Sequence, residues 1–462
     1  MFRLLLILHI LKKGTFMKNT VKTIRNRILS LFIITAIISL SGCTNSVMPS
    51  SAAPTQGSTT ELPQITICLD PLANSDLRKA ELRSSLKNIP GYMESFTIDI
   101  EAVPGGVILS EGEVGIRDNS LMRIRTEMMA GAGPDLFICG CPRPSRGTKR
   151  TVPKGLFPYP ASAMKSNLFL PLDDFIKNTS AIEWDSLVPQ VMDAGKYKDT
   201  QFIAPLTYVF GITGFDSAQH SIGDTSPITW EEQIASGSDE IRRAGYTNDI
   251  FSIFGNLADY EKDVLTFSEE DLLFCLKNLL APLDIPEEGA PETMAGLPIG
   301  LPNMVDNKGN CSFGDKSPDY IFIPQYNTAG GVTAQVTSFA AINRNTDNPE
   351  EAFAIIELLL SKEGQQNTEL YDSLYGMPTH MELGSKGAPA QSLGGPWHMS
   401  DENFKAFCKV REQINAVNFF TPLEEEIDKM LWSCFETELS DNELEELVSD
   451  TYRVMTMMIG ES

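Results

Sequence analysis

Residues 128–137 read MMAGAGPDLF, and the order of these ten residues decides the fold. Upstream, Leu121 to Ala130 carries the spacing of an amphipathic helix. Gly131 and Gly133 permit a tight reversal, and Pro134 forbids continuation of the helix. Downstream, Asp135 to Cys139 (DLFIC) is a short apolar run of the kind that forms a buried strand. Working outward, Gln64 to Leu69 (QITICL) follows Pro63 and reads as a first strand. Asp76 to Lys87 reads as a helix, and Phe96 to Val103 (FTIDIEAV) alternates as a second strand. Strands alternating with helices predict parallel βαβ architecture.

The N-terminus has the pattern of an export signal. From Met17, itself a candidate start, Lys18, Lys22, Arg25 and Arg27 form a positive region ahead of the apolar run Ile28 to Leu40. A predominantly apolar run of thirteen residues is too short to span a bilayer as a helix and suits a signal h-region. Leu40-Ser41-Gly42-Cys43 resembles the bacterial lipobox, with Cys43 as the thiol that receives diacylglycerol. The signal is thus expected over 1–42. Residues 43–62 are rich in Ser, Thr and Pro, too poor in apolar surface to fold, and are expected to be a tether.

Residues 63–462 exceed what one core usually holds, so two domains are expected. The chain has 37 Lys+Arg against 61 Asp+Glu. Seven of the basic residues and none of the acidic ones fall in 1–42, leaving a net charge of −31 for the remainder. A surface this acidic argues against nucleic-acid binding and against charge-driven binding to anionic membranes. Beyond Cys43 the cysteines are Cys68, Cys139, Cys141, Cys275, Cys311, Cys408 and Cys434. Their odd number and wide spread do not form a disulfide framework, and Cys139-Gly140-Cys141 lacks the second pair of a zinc ribbon.

Several segments, taken in order, resemble the family 1 extracellular solute-binding proteins, the type II periplasmic-binding-protein-like receptors of ABC importers. Residues 128–137 match the helix–turn–strand of that family. Leu168 to Ile176 (LFLPLDDFI), Lys198-Asp199 with Phe202 to Pro205, and Ile228 to Glu232 (ITWEE) follow. Ala341-Ile342-Asn343 with Asn348 to Phe353, then Leu359-Leu360-Ser361 with Gly364-Gln365, then Gly376-Met377-Pro378 and the helix Leu439 to Glu461 complete the series. Thr229 suits a helix cap, which makes Trp230 a packing residue. The resemblance implies an α/β fold of two lobes joined by crossing segments, with a ligand cleft between them. Lobe one would comprise 63–205 plus 333–385, and lobe two 206–332 plus 386–462.

On that frame the ligand meets strand ends. Candidate contacts are Asp70 after the first strand, Cys139 after the GPD strand, and Thr207 and Tyr208 at the crossing after Pro205, with Tyr326 and Trp397 in loops. Tyr208 offers a ring to stack on a sugar and a hydroxyl to bond it; the alternative is a packed hinge aromatic. Asp70 either holds hydroxyls or ends the strand. Two features depart from the sugar-receptor pattern: Cys139-Gly140-Cys141 replaces an aromatic or polar contact, and 290–312 has no aromatic residue. The basic stretch 142–154, with Arg143, Arg146 and Arg150, either draws an anionic solute to the cleft or is a solvated loop.

No HExxH, GxSxG, Walker or dinucleotide motif occurs, and the four histidines are isolated. No enzyme activity, metal or cofactor is expected. The resemblance implies a lipid-anchored, monomeric receptor on the extracellular face of the bacterial cytoplasmic membrane. It would pass a small solute, a sugar or oligosaccharide, to ABC permease subunits. The rival reading is a surface sensor or adhesion lipoprotein that uses the same fold without transport.

Overall fold

A computed structural model describes residues 62–461 apart from 71–74, 88, 90–92, 106–110, 142–153, 219, 224–225, 247–249, 282–318, 367–375, 386–387, 389, 393–394 and 398. The signal, the lipobox cysteine Cys43 and the tether lie outside the described residues. So do Arg143, Arg146 and Arg150.

Strand β1 (Gln64–Asp70) is followed by helix α1 (Ser75–Leu86) and β2 (Thr97–Ala102), then by α2 (Glu111–Met129) and β3 (Leu136–Gly140). β1 pairs in parallel with both β2 and β3, the βαβ arrangement expected from the sequence. The remainder makes the sheet mixed. β4 (Ile203–Phe210) and the eleven-residue β7 (Val332–Ile342) are mutually antiparallel, and β7 also runs antiparallel to β3. Between them in sequence, β5 (Ile212–Asp216) and β6 (Tyr320–Pro324) form a separate antiparallel pair. β8 (Met377–Pro378) pairs with β4, and β9 (Ile414–Phe419) pairs in parallel with β7.

β7 connects two groups of elements. Ser338 to Ile342 pair with β3, whereas Val332 to Val336 pair with β9, with an irregularity at Val332/Thr333. Side chains alternate across the sheet. Ile65, Ile67, Leu69, Leu136 and Ile138 pack on one face beneath α7 (Pro349–Leu360), through Ile355, Ile356 and Leu359. Cys68, Phe137 and Cys139 face the other way, into an apolar cluster that continues to Met455 and Ile459.

The turn at 131–134 shows why its sequence is what it is. Gly131 and Gly133 have φ of +79° and +99°, a region that side chains rarely enter. The Asp135 carboxylate accepts from Thr66 N–H at 2.7 Å and from Thr346 Oγ1 at 2.5 Å. Asn343 Nδ2 donates to the carbonyls of Ala132 and Pro134. The GPD motif and the distant Ala341-Ile342-Asn343 motif are thus two sides of one hydrogen-bonded joint. Thr229 caps the helix Trp230–Ile234 with Glu232 in a reciprocal capping box, and Trp230 is fully buried, its Nε1 donating to Gly245 O at 3.1 Å.

Candidate functional site

The carboxyl ends of β1 and β3 meet a recess lined by Cys139, Gly140 and Cys141, by Gly155 to Pro158, by Phe339 of β7, and by Phe420 to Pro422 with Glu425. Its volume is about 40 Å³, room for a few waters and too small for a sugar ring. Its aromatic wall is built by Phe157, which packs edge-on against Phe137 at 5.1 Å and Phe169 at 4.8 Å. The far wall is the start of α9 (Pro422–Glu436), where Thr421 and Glu424 form a capping box.

Asp70 lies at the edge of this recess but is fully engaged. Its Oδ1 accepts from Arg117 Nη2 at 2.7 Å and its Oδ2 from Leu156 N–H at 2.8 Å. Arg117 also donates to the carbonyls of Lys154 and Pro104, and Arg125 to those of Gly155 and Leu156. Burial pushes the Asp70 carboxyl up, and the Arg117 guanidinium pulls it back. The group therefore clamps Lys154 to Leu156.

Among the other candidates, only Cys139 lines the recess. Thr207 is buried between the crossing strands, its hydroxyl 2.8 Å from Thr337 Oγ1 and 2.5 Å from Ser338 Oγ. Tyr208 is 1 % exposed, stacked on Phe210 and hydrogen-bonded to Arg411. Its ring is thus packed inside the fold and does not line the recess. Tyr326 is equally buried, its hydroxyl reaching Ser226 O at 3.4 Å. Trp397 ends a two-stranded ribbon, its backbone paired with Ala390. Phe157, Phe339, Phe420 and Glu425 were not singled out in the sequence, where they look like ordinary core and helix-start residues.

A second and larger groove, about 230 Å³, lies behind the start of α9. One wall is α3 (Pro160–Lys165) with Asp193, Ala194 and Lys196; the other is Asn256 to Ala258, Tyr260 and Val417 to Phe419, with Thr421 and Glu424. Lys165 Nζ joins the two walls, donating to Tyr260 O and Asp263 Oδ1, both at 2.8 Å. Tyr159 and Tyr260 face one another at 6.2 Å. Burial pushes the Tyr159 hydroxyl up to about 12, helped by the carboxylates of Glu424, Glu426, Glu425 and Glu461. Burial likewise pushes the Glu424 carboxyl up to about 7.

Six cysteines among the described residues are free thiols. Burial pushes up Cys68, Cys139, Cys141 and Cys275, which keeps them protonated. No group of three or more metal-ligating side chains and no helix long and apolar enough to cross a membrane occurs among the described residues.

No family model matches the sequence, and no curated protein matches it. Solved structures do match. The sugar-binding protein MalE from the phytopathogen Xanthomonas citri is 11% identical, with a TM-score of 0.52 over 86% of this chain and 98% of its own. The de novo designed cysteine esterase ECH19 is 12% identical, with a TM-score of 0.51 over 87% and 99%. An extracellular solute-binding protein family 1 from Alicyclobacillus acidocaldarius is 11% identical, with a TM-score of 0.49 over 87% and 100%. With the mixed sheet, the crossing strands β4 and β7 and the recess at the strand ends already in view, the chain shares the α/β fold of the sugar-binding protein MalE.

Proposed function

We propose that this chain is an extracellular solute-binding lipoprotein of family 1 and the receptor of an ABC importer, its ligand a carbohydrate. The observation that carries the reading is the recess at the carboxyl ends of β1 and β3, the position at which open α/β sheets take ligands. Its lining by Phe157, Phe339 and Phe420 suits the apolar face of a sugar, and Gly140, Thr421 and Glu425 suit its hydroxyls. MalE of Xanthomonas is named as a sugar-binding protein, which agrees with this choice of ligand. On this proposal the recess, too small by itself for a sugar ring, is the floor of a wider cleft between lobes comprising 63–205 plus 333–385 and 206–332 plus 386–462. Asp70, Thr207, Tyr208 and Tyr326 support that cleft from within the packing.

Function is binding and release by hinge motion at β4 and β7. Catalysis has little to draw on. The thiols are held protonated, whereas a cysteine nucleophile needs the thiolate, and His380 is buried and pushed toward its neutral form by burial. Cys43 carries the lipid, and the diacyl anchor holds the receptor at the outer face of the membrane beside its permease.

Thermal unfolding of the full chain against neutral oligosaccharides, sugar acids and sugar phosphates tests this. A ligand bound only by the folded state adds about 2.7 kcal/mol at a hundredfold excess over Kd, a clear upward shift in Tm. Stabilisation by a neutral oligosaccharide is the expected result. Stabilisation by anions alone would bring Arg143, Arg146 and Arg150 into the site, and no stabilisation would favour a sensor or adhesion role.

A further inference from the structure

The recess at the strand ends is apolar where it is most enclosed. Cys139, Cys141, Phe157, Phe339 and Phe420 line it, and all five are buried. Phe157 and Phe339 stand 6.5 Å apart, and Phe339 packs edge-on against Phe419. Burial holds both thiols in the protonated form, so they bring no charge, and a buried thiol behaves as a small hydrophobe. The charged residues of the lining are its outer ones: Lys154 is exposed and Glu425 is half-buried.

Backbone groups around this apolar base are already bonded. Cys141 N–H donates to Thr337 O at 2.8 Å, and its Sγ accepts from Phe420 N–H. Leu156 N–H donates to Asp70, and the carbonyls of Gly155 and Leu156 accept from Arg125. Gly140 is held in the ladder opposite Ser338 of β7. A hydroxyl driven to the base would give up water and meet none of these groups free to replace it. Acceptor capacity remains on the side of α9, where the Thr421 hydroxyl and the Glu425 carboxylate each keep lone pairs beyond their bonds to Leu423 N–H and Lys429.

We propose that the solute carries a methyl group and that this methyl fills the base of the recess, against Cys139, Cys141 and the three phenylalanines. The assignment rests on the carbohydrate reading of the cleft and narrows it to sugars bearing a methyl, at C6 in place of the hydroxymethyl or on an N-acetyl group. A recess of about 40 Å³ admits a group the size of a water or two and excludes a ring. The ring therefore stays above it, with its hydroxyls toward Thr421 and Glu425. Cys139 and Cys141 become the residues that set specificity, because serine at either position would turn an apolar base into a polar one.

The test is saturation-transfer NMR titration of the full chain with sugars in matched pairs: L-fucose against L-galactose, L-rhamnose against L-mannose, and N-acetyl-D-glucosamine against D-glucose. In at least one pair the methyl-bearing sugar should bind about tenfold tighter, the discrimination a small apolar pocket makes against a stranded hydroxyl. Its methyl protons should receive the strongest saturation, and the pair that shows the preference tells a C6 methyl from an acetyl. Cys139→Ser and Cys141→Ser should each narrow the gap. Sugars that bind without preferring the methyl, a methyl that is not the most saturated group, or an unchanged gap in both serine variants would overturn the assignment and leave the carbohydrate reading standing. Binding of none of the six sugars would overturn it together with that reading.

Discussion

Glu424 shows how one side chain can serve local structure and oppose global stability. As the third residue of α9 it closes the capping box with Thr421, worth about 1 kcal/mol to a helix start. Its burial, however, favours the protonated form and lifts its pKa from the ordinary 4.5 to about 7. The folded state then holds this proton more tightly than the unfolded state. Stability from this group is therefore greatest below pH 4.5, falls as pH rises toward 7, and is flat above, a loss on the order of 3 kcal/mol. Glu424→Gln keeps the cap and removes the slope. Urea unfolding should find the variant close to wild type at pH 4.5 and more stable by a few kcal/mol at pH 8. The other groups around it, Tyr159, Tyr260, Asp193 with Lys196, and Glu425 and Glu426 with Lys429, are common to both proteins and cancel in the difference. A gap that does not change with pH would show that Glu424 does not titrate in this range. In the sequence, Glu424-Glu425-Glu426 is an undifferentiated acidic helix start; only packing decides that the first of the three is buried. Asp70 was likewise ambiguous, because its partner Arg117 is 47 positions away and no local pattern links them.

At the scale of elements, the legible parts were those whose chemistry is local. The turn at Gly131 to Pro134 could be read because each residue has a conformational reason to be there. Gly133 is its strictest position. A Cβ at that site would meet Met128 Cγ at 3.4 Å, an ordinary contact, so the obstacle is the φ of +99° and not space. Gly133→Ala should thus cost about 1–2 kcal/mol, measured as a lower urea midpoint with an unchanged m-value. A neutral substitution would mean that the joint with Asn343 tolerates another backbone path. Strand β4 shows the opposite case. All eight of its residues are buried, so the sequence has no polar alternation to say which face meets a cleft. The position of Tyr208 on the crossing strand could be read, but the direction of its ring could not. That direction is set by Phe210 and Arg411, supplied by its own strand and by a helix late in the chain.

At the scale of the molecule, the two lobes expected from the sequence need not be two folding units. Glu61–Ser462 forms one compact unit. One apolar cluster runs without a break from Cys68 of β1, through Phe339 of β7, to Met455 and Ile459 of the last helix. Phe339 packs edge-on against Phe419 of β9 at 5.6 Å, and β7 shares its hydrogen bonds between β3 and β9. Unfolding either group of elements alone would strip half the partners from β7 and expose the face of the other. The hydrophobic cost of that exposure, at roughly 25 cal/mol per Å², makes a half-folded state unfavourable. Calorimetry should therefore record a single transition with equal calorimetric and van't Hoff enthalpies. A bound solute should move that transition as a whole. Two resolved transitions, only one of them shifted by ligand, would mean instead that the lobes fold independently and that β7 is a linker rather than a shared core strand.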